Sequence, residues 1–380
     1  MKLSDAKVRA AKPGDKIIKL SDGHSLQLWI RPTGQKSWRR AYRYEGRQRD
    51  IVLGAYPAMS LAEARAANLE IDRVLAAGVD PQEDRRAQRV EEAVNRAGTF
   101  KVIADELLKF VRQHKDEPFF VYYPTVLPHL ALQVPDAELS AYEGEWTETP
   151  YEGKSYLPHP KPRAAYASMI SFMDRQVGRV MDLLKELGLD ENTLVIFTSD
   201  NGTTFLKEQV DFEFFDSVGG LRGLKGEIYE GGIRVPLLAR WPGKIAPGTV
   251  SDHPSAHYDA MATLAEVAGA ELTQAHDGIS YLPTLLGTEQ KAHEYLAWDF
   301  GGYGGQIAIR EGDWKALKRN LRKDPDAPLE LYNLATDRSE TTNVAATHPK
   351  VAARLEKLLI EARAEPELER FRFGVYGGKE

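Results

Sequence analysis

Between Leu194 and Pro236 the chain reads LVIFTSDNG, then a loop, then GGLRGLKGEIYEGGIRVP. No other stretch restricts the fold as much. Leu194-Val195-Ile196-Phe197 has the length and composition of a buried strand. It stops at Ser199-Asp200-Asn201-Gly202, so a carboxylate and an amide oxygen fall just past the strand's carboxyl end. Open α/β sheets place their sites there, and both groups are hard oxygen ligands for a divalent cation. Further on, Lys225 sits among Gly219, Gly220, Gly223 and Gly226, with Gly231 and Gly232 next and a second apolar strand from Val235 to Ala239. Residues without side chains let a backbone and an ammonium group come close to a ligand. The chemistry expected is a divalent cation plus a lysine facing an anionic oxygen. Asp-Asn-Gly after a strand is also an ordinary turn. The first half alone therefore leaves both readings open, whereas RGLKG followed by YEGGIRVP is more specific.

SDNG followed by GLRGLKGEIYEGGIRVPLLARWPGKI resembles the sulfatase family, the arylsulfatase-like branch of the alkaline phosphatase superfamily. The resemblance runs from about Pro118 to about Phe373. PFFVYYPTVLPHLALQVP is similar to the family's strand and following His loop, and DGISYLPTLLG, GDWKAL and ELYNLATDRSETTNVA are similar to its C-terminal part. It implies that Asp200 and Asn201 ligate Ca2+ and that Lys225 and His129 contact the sulfate group of a sulfated small molecule or sugar. A lone loop histidine is more often structural; its place in the family pattern singles out His129. The family nucleophile is a formylglycine made from Cys or Ser within C/S-x-P-S-R. This chain has no cysteine, and its nearest Ser string, SDHPSA from Ser251 to Ala256, does not fit. The family's first strand, with paired Asp ligands, and its GKWH-like segment also lack counterparts. The resemblance thus implies an incomplete α/β domain over 106–373, without its N-terminal half. Calcium would bind weakly or not at all, no atom would attack sulfur, and apolar sheet edges would be exposed.

The rest of this region reads as scaffold. Phe119 to Tyr123 is expected as a buried strand. The Pro-, Gly- and Tyr-rich segment from Pro135 to Pro162 is expected as a loop over the site mouth, with His159 a loop residue. Ala164 to Leu187 predicts a long helix, with Met169, Met173, Val177, Val180, Met181, Leu184 and Leu187 on one face. His257 to Gly269 predicts a helix in which His257 and Asp259 are structural. Short strands near Tyr295–Trp298, Gln306–Arg310 and Trp314–Lys318 predict a small antiparallel sheet, closed by a helix from Pro349 to Ala364 and a polar tail over 374–380.

The N-terminal part differs in charge. Residues 1–60 hold 13 Lys and Arg against 5 Asp and Glu, about +8, whereas the whole chain is −6, leaving about −14 for the rest. The asymmetry points to separate origins and a polyanionic partner. Ser25–Ile30, Lys36–Tyr44 and Arg49–Leu53 read as three strands, and SLAEARAANLEIDRVLAAG as a helix with a Ser60–Glu63 capping box. Lys36, Arg39, Arg40, Arg43, Arg47 and Arg49 lie on the hairpin among Trp38, Tyr42 and Tyr44. Such cations on a thin sheet can enter a DNA groove, although a charge run alone is commonly a solvated face. The ordered pattern KVRAAKPGDK, LSDGHSLQLWI, GQKSWRRAYRY, LGAYP, SLAEAR, AAGVDP resembles the N-terminal arm DNA-binding domain of phage-type tyrosine recombinases (integrases). It covers roughly 1–90 and implies DNA as the partner. His24 stands where that family often has Gly.

No histidine has Arg three residues on, and Tyr376 stands alone, so strand-exchange chemistry is not expected. A charged linker is placed at 91–105, within which the two resemblances meet. The N-terminus lacks an apolar core segment and no run is long enough to span a membrane, so a cytoplasmic location is expected. Three readings stay open: an enzyme-derived chain without turnover, a DNA-binding module from a recombinase-type fusion, and a sulfatase completed by a second chain.

Overall fold

The structure, a computed structural model, describes residues 2–85, 104–153, 156–204 and 211–376. Two units are distinguished, Met1–Lys101 with Gly153–Leu157, and Val102–Glu152 with Pro158–Glu380. Nearly all of the expected 91–105 linker and tail residues 377–380 lie outside the described residues.

In the first unit, helix α1 (Asp5–Ala10) precedes strands β1 (Ile18–Gly23), β2 (Leu26–Ile30), β3 (Lys36–Tyr44) and β4 (Arg47–Tyr56). The strands form one antiparallel sheet in chain order. Three strands were expected. The fourth, β1, sets Ile18 and Leu20 opposite Ile30 and Leu28, an alternation too short to stand out from the sequence. Leu28 pairs with Trp38, and Trp38 with Gly54. Leu26, Leu28, Ile30, Trp38, Tyr42, Ile51 and Leu53 share a core with Leu61, Ala64 and Ile71 of helix α2 (Leu61–Ala76) and with Val8 of α1. The capping box closes as expected: Ser60 N–H donates to Glu63 Oε2 at 2.7 Å and Glu63 N–H to Ser60 Oγ at 3.3 Å. His24 holds φ 44° in the β1–β2 turn. That is the left-handed region glycine enters without strain, which explains why Gly suits this place.

In the second unit, helix α3 (Pro162–Glu186) packs Ala165, Tyr166 and Met169 on Leu130 and Leu132. Its far end packs Leu183 and Leu184 on Val111, within helical residues 104–113. Strands β5 (Val195–Thr198) and β6 (Leu237–Arg240) pair antiparallel, with the short helix α4 (Glu230–Ile233) between them in sequence. Helix α5 (Asp259–Ala268) ends at Gly269, φ 65°. Strands β7 (Leu296–Phe300), β8 (Gln306–Glu311), β9 (Trp314–Arg319) and β10 (Glu330–Asn333) form an antiparallel sheet in the order β10-β9-β8-β7. Helix α6 (Pro349–Glu361) covers it with Leu355 and Leu359. The architecture is mixed α/β, with a small antiparallel sheet at each end of the chain.

Two expectations are corrected here. Leu194–Phe197 was expected as a buried strand; β5 is only half-buried. Phe119–Tyr123 was also expected as one; it joins no ladder, and Phe120 and Tyr122 are 68% and 77% exposed. Val126 and Leu238 are similarly open. An apolar run becomes a buried strand only when neighbours take its backbone groups and cover both faces. Among the described residues β5 has β6 alone beside it. No described helix is long and apolar enough to cross a membrane.

Candidate functional site

The loop after β5 and the glycine-rich segment are sewn together through their backbones. Gly202 N–H donates to Gly232 O at 2.9 Å, Lys225 N–H to Thr203 O at 2.7 Å, and Gly231 N–H to Arg222 O at 2.7 Å. Glycine is required for this closeness. A Cβ on Gly202 would lie 1.9 Å from Gly231 O, one on Gly231 2.2 Å from Gly223 O, and one on Gly232 2.0 Å from Glu227 O. The glycines were expected to admit a ligand; in the structure they admit neighbouring backbone and, at Gly226, the ring of Tyr303.

The C-terminal sheet holds this segment from the other side. Gln306 Nε2 donates to Gly226 O at 2.8 Å. Arg222 donates to the Tyr332 hydroxyl at 3.0 Å and to Glu340 O at 2.8 Å, and lies 3.9 Å from the Tyr229 ring centre. Lys315, on β9, is fully buried, with Glu230 Oε1 at 2.9 Å and Glu340 Oε1 at 2.8 Å. Glu340 Oε2 also accepts the Glu230 N–H at 2.6 Å. Burial acts to raise the Glu230 pKa, but Lys315 and Arg234 outweigh it and hold it low. At Glu340 burial prevails and the pKa is raised. Tyr332, buried and bonded to Glu330, is pushed up to about 12.

Lys225 opens on a cavity of about 300 Å³ lined also by Glu227, Tyr303, Gln306, Arg319 and Asn320. Tyr303, Gln306, Arg319 and Asn320 were missed from sequence. The signals were a tyrosine inside GGYGG and a glutamine opening the apolar strand QIAI.

The other expected residues are placed as follows. Asp200 is exposed at the end of β5, and Asn201 donates its amide to Gly202 O at 3.1 Å. His257 Nε2 lies 2.8 Å from Ser199 O. A calcium ion takes about six to eight oxygens. Here one carboxylate and one amide oxygen are offered, and among the described residues no three His, Cys, Asp or Glu side chains converge. The residues present do not fit a calcium site. His129 is exposed on the turn after the 119–123 segment; its N–H donates to Val126 O at 2.7 Å and its Nδ1 lies 2.5 Å from Leu130 O. Asp259, as expected, is structural: buried, it accepts from Ala256 and Ile279 N–H and pairs with His293. Tyr376 accepts the Phe373 N–H at 2.5 Å and packs against Arg363.

In the first unit the basic residues divide by face. Arg40 is buried and paired with Asp72, and Arg49 is paired with Asp80. Burial and the bond to Asp80 push the Tyr42 hydroxyl up to about 12. Lys36 donates to Val8 O at 2.8 Å and Arg9 O at 3.2 Å, closing the end of α1. Arg39, on the outer face, pairs with Asp50 at 2.5 Å and stacks on Trp29 with Lys19. Arg43 and Arg47 are exposed.

A family profile described as Sulfatase matches residues 60–270, more than half of the chain. One described as N-sulphoglucosamine sulphohydrolase, C-terminal, matches 224–365, and one described as Arm DNA-binding domain matches 3–88. The chain belongs to the sulfatase family and carries an Arm DNA-binding domain at its head. Where the matches overlap, α2 packs with the first sheet, so the fold assigns that helix to the Arm domain. The chain is 35% identical over 260 residues to a sulfatase of Formosa agariphila, covering 63% of this chain and 44% of that protein. It is 30% identical over 276 residues to the N-acetylgalactosamine-6-O-sulfatase of Bacteroides thetaiotaomicron, covering 68% and 50%. The crystal structure of Ps i-CgsB superposes with a TM-score of 0.57 at 28% identity, over 68% of this chain and 53% of that one. The chain spans about half the length of the curated relatives it matches.

Proposed function

We propose that the second unit binds the sulfate group of an organic sulfate through Lys225 without cleaving it, while the Arm domain, of integrase type, binds DNA. One observation carries the reading. Lys225 lines a cavity of about 300 Å³, whereas the chain has neither a cysteine nor an S-x-P-S-R string from which the family's nucleophile is made. By the family motif His129 is the second sulfate donor. Fixed donors stabilise charge on sulfuryl oxygens, but hydrolysis also requires an attacking atom. The purified chain should turn over no p-nitrophenyl sulfate with or without added calcium. It should bind a sulfate ester saturably, and Lys225→Met should abolish that binding. Calcium-dependent turnover by the chain alone would refute the reading.

A second reading, completion by another polypeptide, is favoured by the exposed Phe120, Tyr122 and Leu238. Open apolar groups of this size mark contact surfaces. Sulfatase activity co-purifying with a second chain, and lost in the double change Phe120→Ser, Tyr122→Ser, would support it.

A further inference from the structure

The outer face of the first sheet carries a guanidinium that is fixed in place yet mostly unsatisfied. Along β3, Ser37, Arg39, Ala41 and Arg43 alternate with the buried Trp38, Arg40 and Tyr42 and so face outward. We infer that Arg39 is the residue by which the Arm domain reads sequence, donating to a guanine in the DNA major groove, and that Asp50 and Trp29 position it for this. The inference deepens the proposed function and rests on the Arm domain binding DNA.

Arg39 stands on a central strand, with Gln27 of β2 and Val52 of β4 opposite it. Its Nη1 donates to Asp50 Oδ2 at 2.5 Å, and its guanidinium carbon lies 4.3 Å from the centre of the Trp29 ring. That ring is itself held: Trp29 Nε1 donates to Gln27 Oε1 at 2.8 Å, and Lys19 Nζ lies 4.0 Å from the ring centre. Arg39 Nε is buried without a hydrogen-bond partner among the described residues. A guanidinium has five N–H donors and no acceptor. Asp50 takes one of them, which leaves Nη2 and the second Nη1 hydrogen for an acceptor pair that the chain does not supply.

Contacts to phosphate position a protein on DNA, whereas contacts to base edges carry the sequence. The two tasks ask for different side chains. A phosphate can be met from many directions, so an exposed cation serves, and Arg43 is one: outward, exposed and without an ion pair among the described residues. A carboxylate beside the contact would repel a phosphate. Asp50 stands beside Arg39, so Arg39 is poorly placed for a phosphate and well placed for a neutral base edge. The major groove admits a two-stranded β-ribbon, and there guanine alone presents two acceptors side by side, O6 and N7. Adenine and cytosine set an N–H donor against the guanidinium, and thymine offers one acceptor. A fork already held by a carboxylate and a ring loses little freedom on binding. The positive charge of residues 1–60, about +8, draws a duplex to this face.

Selection from a library of randomised DNA duplexes by the full chain supplies the probe, and each guanine of the enriched site is then replaced in turn by 7-deazaguanine, which lacks the N7 acceptor. One replacement should weaken binding about tenfold in the parent. That ratio should fall to about one in Arg39→Ala and persist in Arg43→Ala, which weakens both duplexes alike. Asp50→Asn should lower the ratio severalfold while tightening binding to an unselected duplex, because a negative charge has gone. A purely electrostatic or structural role for Asp50 would move both in the same direction. Circular dichroism checks that the variants fold. Library binding that enriches no guanine, or a ratio that survives Arg39→Ala, overturns the assignment of Arg39 while leaving DNA binding intact. A ratio unchanged in Asp50→Asn overturns the positioning role. Failure of the library to bind at low salt overturns the underlying reading as well.

Discussion

Lys315 is a cation with no access to water, held between Glu230 and Glu340. Removing one partner of a buried ion pair costs about 3–5 kcal/mol, because the remaining charges stay buried. Lys315→Met should therefore lower the urea midpoint strongly at neutral pH, whereas Glu340→Gln, which can still accept the Glu230 N–H, should cost far less. The pH dependence follows from the shifts. Glu230 has a depressed pKa, so the stability it contributes is present above 4.5, its ordinary value, and is lost as pH falls through the depressed value. In Lys315→Met the carboxylates lose their cation and their pKa values rise, so the variant regains stability on acidification. The gap between variant and parent should begin to narrow above pH 4.5, where the raised carboxylates of the variant take up protons, and narrow further below it as the parent loses the Glu230 contribution, read by urea unfolding at several pH values. GDWKAL was legible as a motif, but the role of its lysine was not. On an alternating strand a lysine reads as solvent-facing, and its partner Glu230 lies 85 residues away.

At the scale of elements, local signals were readable and pairwise ones were not. The Ser60–Glu63 box declared the start of α2 because all its chemistry lies within four residues. Strand β1 was missed because its second half, Ser21-Asp22-Gly23, has the composition of a turn, and β10 because it is only four residues long. The segment 119–123 failed in the opposite direction, having a strand's composition and no ladder. The glycine-rich segment was legible, but one reason for its glycines was not: carbonyl oxygens of Arg222 and Gly223 occupy the space a Gly231 side chain would need. Gly231→Ala should thus displace the Lys225 segment, losing several kcal/mol of stability and at least tenfold in sulfate-ester affinity. Gly248, at φ 76° with nothing within 4 Å, provides the control. Gly248→Ala should cost only about 1–2 kcal/mol of backbone strain and leave ligand affinity unchanged. Thermal unfolding and calorimetry on both variants check the contrast.

Across the whole molecule, the positive head and negative remainder were plain from sequence, but the split of the head's cations between two sheet faces was not. Six residues on one hairpin read as a single basic patch; the pleat sends Arg40 inward to Asp72, while Arg43 stays exposed. Arg43→Ala and Arg47→Ala should each weaken DNA binding and reduce the slope of log K against log salt by about 0.9 for every phosphate that is no longer neutralised. Arg40→Ala should instead lower stability by about 1–3 kcal/mol with little change in that slope. Fluorescence anisotropy across a salt series separates the two outcomes. The Trp38-centred cluster is closed by α1 and α2 from its own stretch of chain. A head with a complete interior of its own is portable: such a module keeps its fold wherever its stretch of sequence is carried, whatever protein it is joined to.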